Sequence, residues 1–251
     1  MSPIALVRRI KHTVRPSLKE IQYKLQGKQT VHFLHIGKTA GSAFRDAVSA
    51  HLVTDRYRIQ LHGHSVTLND VPPGEKVIFF LRDPIARFAS GFYSRLRQGK
   101  PRYNNPWRPH EAIAFSRFHT PQALAAALSA EEDELREAAI YAMTHIGHVK
   151  SHLWNWFIDE AYFVKRWSDI LFIGYQESFD ADFVELKQIL GLPESVQLPQ
   201  SKTQAHRSSK HENKQFSDLE RENLLQWYAA DYEFLALCQQ LQQGQARKLA
   251  G

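Results

Sequence analysis

Two six-residue apolar runs constrain this chain more than any other feature, because each closes on a distinctive turn and then on a helical pattern. Val31-His32-Phe33-Leu34-His35-Ile36 runs into Gly37, and Lys76-Val77-Ile78-Phe79-Phe80-Leu81 runs into Arg82-Asp83-Pro84. Runs this short and apolar suit strands buried on both faces, as in parallel sheets. After the first run, Ala43 to His51 reads as a helix. After the second, Asp83 is a favoured N-cap and Pro84 a favoured first helical residue, so a helix is expected from Pro84 to about Arg97. Pro101, Pro106, Pro109 and Pro121 punctuate a loop-rich insertion, and helices are expected near Glu131 to His145 and Ser151 to Lys165. A third strand is expected over Ile170 to Tyr175, then a helix from about Asp180 to Leu190 that stops at Gly191, and a long closing helix from Ser217 to Leu241. Strands alternating with helices define an α/β protein with a parallel sheet flanked by helices. At 251 residues and 43% apolar content, one sizeable core is expected.

The charge balance first suggests a nucleic-acid partner, with 32 basic against 26 acidic residues. Its distribution removes that suggestion. Arg8, Arg9, Lys11, Arg15, Lys19, Lys24 and Lys28 face only Glu20 in the first 28 residues, so the whole formal +6 resides there and the rest of the chain is balanced. Such balance argues against a broad phosphate-tracking surface. Between the leader's cations, Ile4, Val7, Ile10, Val14, Leu18, Ile21 and Leu25 recur at helical spacing, with Pro16 bending the pattern. The domain division expected is therefore a basic amphipathic segment over 1–28 and a catalytic domain over 29–251. The leader suits peripheral contact with an anionic membrane, a partner helix, or packing on its own domain. Cys238 is the single cysteine, which excludes an intrachain disulfide and a cysteine-based zinc site and fits a reducing compartment. No run approaches the roughly 18 apolar residues of a membrane span, and the N-terminus lacks a signal-peptide pattern. A cytoplasmic protein is the expectation, and contact of the leader with the inner face of the membrane is one of its three open roles.

Two motifs carry chemistry. The turn after the first strand reads His35-Ile36-Gly37-Lys38-Thr39-Ala40-Gly41-Ser42-Ala43-Phe44, and a glycine-bearing strand-to-helix turn offers backbone N–H groups at a positive helix end. Lys38 adds a point charge and Ser42 a hydroxyl. The run is not a nucleoside-triphosphate loop, since His32 stands where the first glycine of G-x-x-x-x-G-K-[ST] would be. The second motif is Arg82-Asp83-Pro84-Ile85-Ala86-Arg87-Phe88-Ala89-Ser90-Gly91-Phe92-Tyr93. It puts an arginine suited to bidentate phosphate binding at a strand's carboxyl end, where open α/β sheets bind ligands. Arg87 and Ser90, three apart, share a helix face. Residues 76–117 hold nine basic and two acidic side chains, which favours an anion site over a merely solvated arginine helix.

Together, the His-x-x-Lys-Thr-x-Gly-Ser turn and the Arg-Asp-Pro-x-x-Arg-x-x-Ser-x-x-Tyr strand end resemble the sulfotransferases that use 3′-phosphoadenosine 5′-phosphosulfate (PAPS). The resemblance is nearest to the carbohydrate branch, particularly the uronyl and heparan sulfate 2-O-sulfotransferases, and covers roughly residues 31–240. It implies their P-loop-like fold. It also implies that Lys38, Thr39, Gly41 and Ser42, within the run that includes Gly37, Ala40 and Ala43, hold the phosphosulfate. Arg82 and Ser90 would hold the 3′-phosphate. His62-Gly63-His64 lies where that branch has a His-Gly-His carrying its base, and Tyr93 to Gly99 continues the helix similarly. Ala205-His206-Arg207-Ser208-Ser209-Lys210 looks like the late basic loop that closes over the nucleotide, which adds Arg207, Ser208 and Lys210 to the donor site. Ala40 replaces a usual glycine, Gly37 a common proline, and the branch's luminal disulfides are missing.

Sulfuryl transfer is close to phosphoryl transfer: in-line, loose, and governed by positioning and electrostatics as charge gathers on the leaving phosphate oxygen. Lys38 is the candidate for that oxygen, and no metal is required. A sugar hydroxyl is a weak nucleophile at neutral pH, so a general base is expected. Histidine has a suitable pKa; His64 is the first candidate and His62 the second, with His35, His145 and His148 read as packing residues. The acceptor expected is a carbohydrate or glycolipid, with Arg102, Tyr103, Trp107 and Arg108 of the insertion forming one wall of a cleft. Trp154 and Trp156 are read as core residues before sugar platforms. Two other classes compete. A P-loop small-molecule kinase would need an acidic metal ligand after a strand, for which Asp83 is the candidate. A non-enzymatic basic module binding membrane or nucleic acid would act through the leader.

Overall fold

The computed structural model describes residues 22–23, 25–199 and 212–250, with side chains to residue 244. Most of the leader, and the loop carrying Arg207, Ser208 and Lys210, lie outside the described residues. Four strands form one parallel sheet: β1 (Gln29–Leu34), β2 (Tyr57–Leu61), β3 (Lys76–Leu81) and β4 (Ile170–Tyr175), in the order β2-β1-β3-β4. Phe33 pairs with Leu61 on one side and Ile78 on the other, and Phe80 pairs with Gly174. Because β2 and β3 lie on opposite sides of β1, the chain reverses its winding between β1 and β3. That is the position where open α/β sheets bind ligands.

Alternation along the strands sorts the core into two layers. Val31, Phe33, Ile78 and Phe80 pack against helices α1 (Gly41–Val48) and α7 (Phe179–Leu190) through Phe44, Phe183 and Leu186. Leu34, Val77, Phe79 and Leu81 point the other way, onto Trp156, Phe157, Phe163 and Phe234. A third cluster lies among the helices beside the sheet: α2 (Pro84–Leu96), α3 (Pro109–Arg117), α4 (Pro121–Ala127), α5 (Asp133–His145) and α8 (Asp218–Trp227). The α/β class and the strand runs are thus as the sequence predicts, and α2 begins as expected, with Asp83 accepting from the Ala86 N–H at 2.8 Å.

Four local expectations need correction. Strand β2 is missing from the sequence reading, although Tyr57-Arg58-Ile59-Gln60-Leu61 alternates apolar and polar as an edge strand should. The insertion is less loop-rich than its prolines suggest, since Pro109 opens α3 and Pro121 opens α4 at the first helical position. The helix expected over Ser151 to Lys165 is broken into a 3-10 turn, Leu153–Trp156, and a short helix α6, Glu160–Lys165. Ile158 between them adopts φ +74°, and Asp159 caps the new start by accepting from Tyr162 N–H. The closing helix is two, α8 and α9 (Ala229–Ala250), split at Tyr228, whose hydroxyl is drawn inward to the Val149 carbonyl. At the other end, Lys28 donates to the carbonyls of Thr54 and Asp55, and Arg58 lies over the Tyr23 ring, so the described end of the leader packs on the domain. Among the described residues no helix is long and apolar enough to cross a membrane.

Candidate active site

The turn after β1 is shaped by two left-handed residues, Lys38 (φ +71°) and Ala40 (φ +68°), and closed by the Thr39 hydroxyl donating to the Ile36 carbonyl. Ala40 holds a conformation that costs a side-chain-bearing residue about 1–2 kcal/mol, which explains why glycine is at home there. Gly41 opens α1, where a β-carbon would run into the His35 ring and force it to move. Ala43 and Phe44 N–H donate to the Ala40 carbonyl, which leaves the Gly41 and Ser42 N–H groups at the helix's positive end, where both residues border the cleft.

That cleft has a volume of about 800 Å3. Lys38, Ser42, His64, Arg82 and Ser90 border it, and so do the backbones of Ala40, Gly41 and Ala43. Three expected residues do not border it with their side chains. Thr39 is buried with its hydroxyl committed to the turn. Gly37 contributes a carbonyl that accepts from Arg87 Nε at 3.0 Å. His62 turns away: Glu75 accepts from His32 Nε2–H at 2.6 Å, which leaves His32 Nδ1 to accept from His62 Nε2–H at 2.8 Å. Its carbonyl instead steadies Arg45 at the cleft mouth.

His64 is placed differently. Its Nδ1–H donates to the His35 carbonyl at 2.8 Å, so the neutral ring keeps its lone pair on Nε2. Its own carbonyl accepts from Trp156 Nε1 at 3.0 Å, so Trp156 supports the histidine from the core and is not a sugar platform. Partial desolvation against the cleft wall lowers the pKa of the solvent-accessible His64, the bond to His35 opposes this, and Arg45, Lys38 and Arg87 lower it further. The ring is therefore neutral at physiological pH. Lys38 is also perturbed: burial first, then Arg97 and Arg82, bring its ammonium down to about 8, and it forms no ion pair among the described residues. Arg82 donates to the Lys38 carbonyl at 3.3 Å while its buried Nε has no partner. An unpaired ammonium and an unsatisfied guanidinium nitrogen beside a helix N-terminus are fitted to an anionic ligand.

Sequence reasoning underestimated several positions. Arg87 shares α2 with Ser90 but is completely buried, 3.7 Å from the equally buried Asp231 and stacked over Trp156. It ties the turn's Gly37 carbonyl to α9. Removing one partner of a buried ion pair leaves an uncompensated charge, so Arg87→Ala is expected to lower stability by about 3–5 kcal/mol. Urea unfolding measures this, and a loss under about 1 kcal/mol would show that the pair does not hold the turn. His35 and His148, expected from the sequence to be packing residues, both border the cleft, as do Arg45, Arg95 and Lys214. Arg102 does so as expected, pairing with Asp46, whereas Trp107 packs on Phe115. Lys214 and Glu212, which pairs with Arg97, come from more than a hundred residues further along the chain than α2's start, and no motif announced them. Asp83, the residue a kinase reading would need, is occupied at both oxygens by Ala86 N–H and the Tyr232 hydroxyl.

A parallel sheet whose winding reverses over a cationic cleft, with a helix N-terminus and a half-buried lysine on one strand end and an arginine on the next, defines an α/β enzyme acting on an anionic group. A model of the Sulfotransferase family matches residues 21–237, a span that contains both strand-end motifs, and the chain belongs to that family. It is accordingly a sulfotransferase, which transfers a sulfuryl group to an acceptor. No curated protein matches the chain.

Proposed function

We propose that the donor is PAPS and the acceptor a hydroxyl of a carbohydrate or glycolipid. The observation that carries this reading is one cleft bordered by two cationic groups at neighbouring strand ends, Lys38 with the start of α1 and Arg82 with Ser90. PAPS carries two anionic groups, a 5′-phosphosulfate and a 3′-phosphate, and this pairing suits both. The carbohydrate acceptor is supported by the His62-Gly63-His64 motif, with His64 on the cleft wall.

In this mechanism His64 Nε2 accepts the proton of the acceptor hydroxyl as its oxygen attacks sulfur. The bond from sulfur to the bridging phosphate oxygen breaks in line. Lys38 and the α1 N–H groups take up the charge on the departing oxygen, with Ser42 assisting. Partial desolvation and neighbouring cations keep His64 neutral and ready, while fixed cations meet the developing charge without reorganising.

Calorimetry with 3′-phosphoadenosine 5′-phosphate (PAP) and with ATP tests the donor. PAP is expected to bind at least about a hundredfold more tightly, since a charge-assisted contact to the 3′-phosphate contributes about 1.5–3 kcal/mol per bond. Equal or tighter binding of ATP would overturn the reading.

A further inference from the structure

His148 follows the end of α5, and its backbone is left-handed, with φ +66°. Two buried groups pin that conformation from either side. Glu111 accepts from the Gly147 N–H at 2.9 Å, and the Tyr228 hydroxyl donates to the Val149 carbonyl at 2.9 Å. Glu111 is in turn gripped by Arg95 through Nε and Nη2, at 2.6 and 2.5 Å. Burial would raise the Glu111 pKa, but the bonds from Arg95, Arg108 and Gly147 bring it to about 2, so this clamp stays charged. Strain that the surroundings over-determine in this way marks functional positions.

The ring is received by two glycines. A β-carbon at Gly37 would lie 2.9 Å from His148 Nδ1, and one at Gly91 would lie 3.1 Å from its Cβ. Proline or alanine at position 37 would therefore displace this ring. Over Gly37 the His148 ring meets His64, with centroids 5.8 Å apart and planes at 74°. His64 also contacts the His35 ring at 4.0 Å. Among the described residues, His148 nitrogens have no hydrogen-bond partner, and the ring borders the cleft. Burial, then Lys38, His64, Arg87 and Arg95, depress its pKa to about 3. It is therefore a neutral ring, adding no charge that would oppose proton uptake by its neighbour.

We propose that His148 is a positioning residue, whose ring, seated over Gly37, fixes the plane of the His64 imidazole and so the direction of its Nε2 lone pair. This rests on the reading of His64 as the base. The bond to His35 fixes one end of the His64 ring, and His148 supplies the lateral wall that a single hydrogen bond cannot.

The test compares full-length wild type, His64→Ala, His148→Ala, His148→Phe and the His64→Ala/His148→Ala double variant. Turnover is read as release of PAP from PAPS with water as acceptor, and PAP binding by calorimetry controls for folding and donor affinity. Nitrogen-15 NMR of the imidazoles, with His64 identified from its loss in His64→Ala, reports the tautomer. His148→Ala is expected to lower release about tenfold or more while PAP affinity changes less than about threefold, because small misplacements of reacting groups have large kinetic effects. His64 should lose its pure Nδ1–H signature in that variant. His148→Phe, which restores the wall without a titratable group, should return release to within about threefold of wild type. In the His64→Ala background, removing His148 should change nothing further. Unchanged His64 nitrogen shifts in His148→Ala, or failure of phenylalanine to restore release, would overturn the positioning role. Full release by His64→Ala with altered His64 shifts in His148→Ala would instead overturn the base and leave the positioning contact standing.

Discussion

Lys38→Ala is expected to lower the rate of PAP release from PAPS by about 10²–10³-fold, the usual effect of removing one preorganised group from a developing oxyanion. The lysine is half-buried beside Arg82 and Arg97, and a partly desolvated cation acts on the leaving oxygen with reduced solvent screening. Its ammonium is the active form, so kcat/KM should fall as pH rises through about 8, the value to which burial and the two arginines bring it. Lys38→Arg keeps its charge at every accessible pH, so the alkaline limb should vanish even where the residual rate is low. A near-normal rate in Lys38→Ala, or an alkaline limb that persists in Lys38→Arg, would remove the lysine from the transition state.

The second large effect is expected at His64. Alanine there should lower turnover by about 10²–10⁴-fold, the range for a positioned general base, with PAP affinity within about threefold of wild type. His64 acts unprotonated, so activity is lost as pH falls through its pKa. Partial desolvation at the cleft wall and the nearby cations lower that pKa beneath the ordinary histidine value of 6.5, and the acid limb should lie correspondingly lower. In His64→Ala this limb should be absent from what rate remains. Weakened PAP binding with normal turnover would make His64 a donor-site residue and not a base.

Both experiments address residues that were legible before any fold was known, and the reason is local. A strand, a turn and a helix start are contiguous in sequence, so Lys38, Ser42, Arg82 and Ser90 carry signals in their own neighbourhoods. Asp83 before Pro84 announces a helix start in the same way, and the structure has it capping α2. The His62-Gly63-His64 pair was legible only as a pair. Which ring faces the cleft depends on His32 and Glu75, 30 and 13 residues away in sequence, which capture His62 and leave His64 on the cleft wall. Strand β2 carries a weaker signal than the other three, because Arg58 and Gln60 interrupt its apolar positions. The division of the closing segment falls at Tyr228, whose hydroxyl bonds to the Val149 carbonyl, a contact that spans 79 residues and leaves no local signal in the sequence.

His148 shows the same boundary at the site itself. Nothing around Gly147-His148-Val149 resembles a motif, and its position follows from α5, Glu111, Tyr228 and two glycines on separate elements. The sequence alone determined the α/β class, the two strand-end anion motifs and the chemistry they invite, because strand burial, capping and turn formation are short-range effects. Tertiary structure decided which histidine borders the cleft, that Arg87 is spent on a buried pair with Asp231, and that His148 joins His64. Those outcomes depend on packing between residues up to 144 positions apart, where burial and hydrogen-bond competition select among side chains that look equivalent in one dimension.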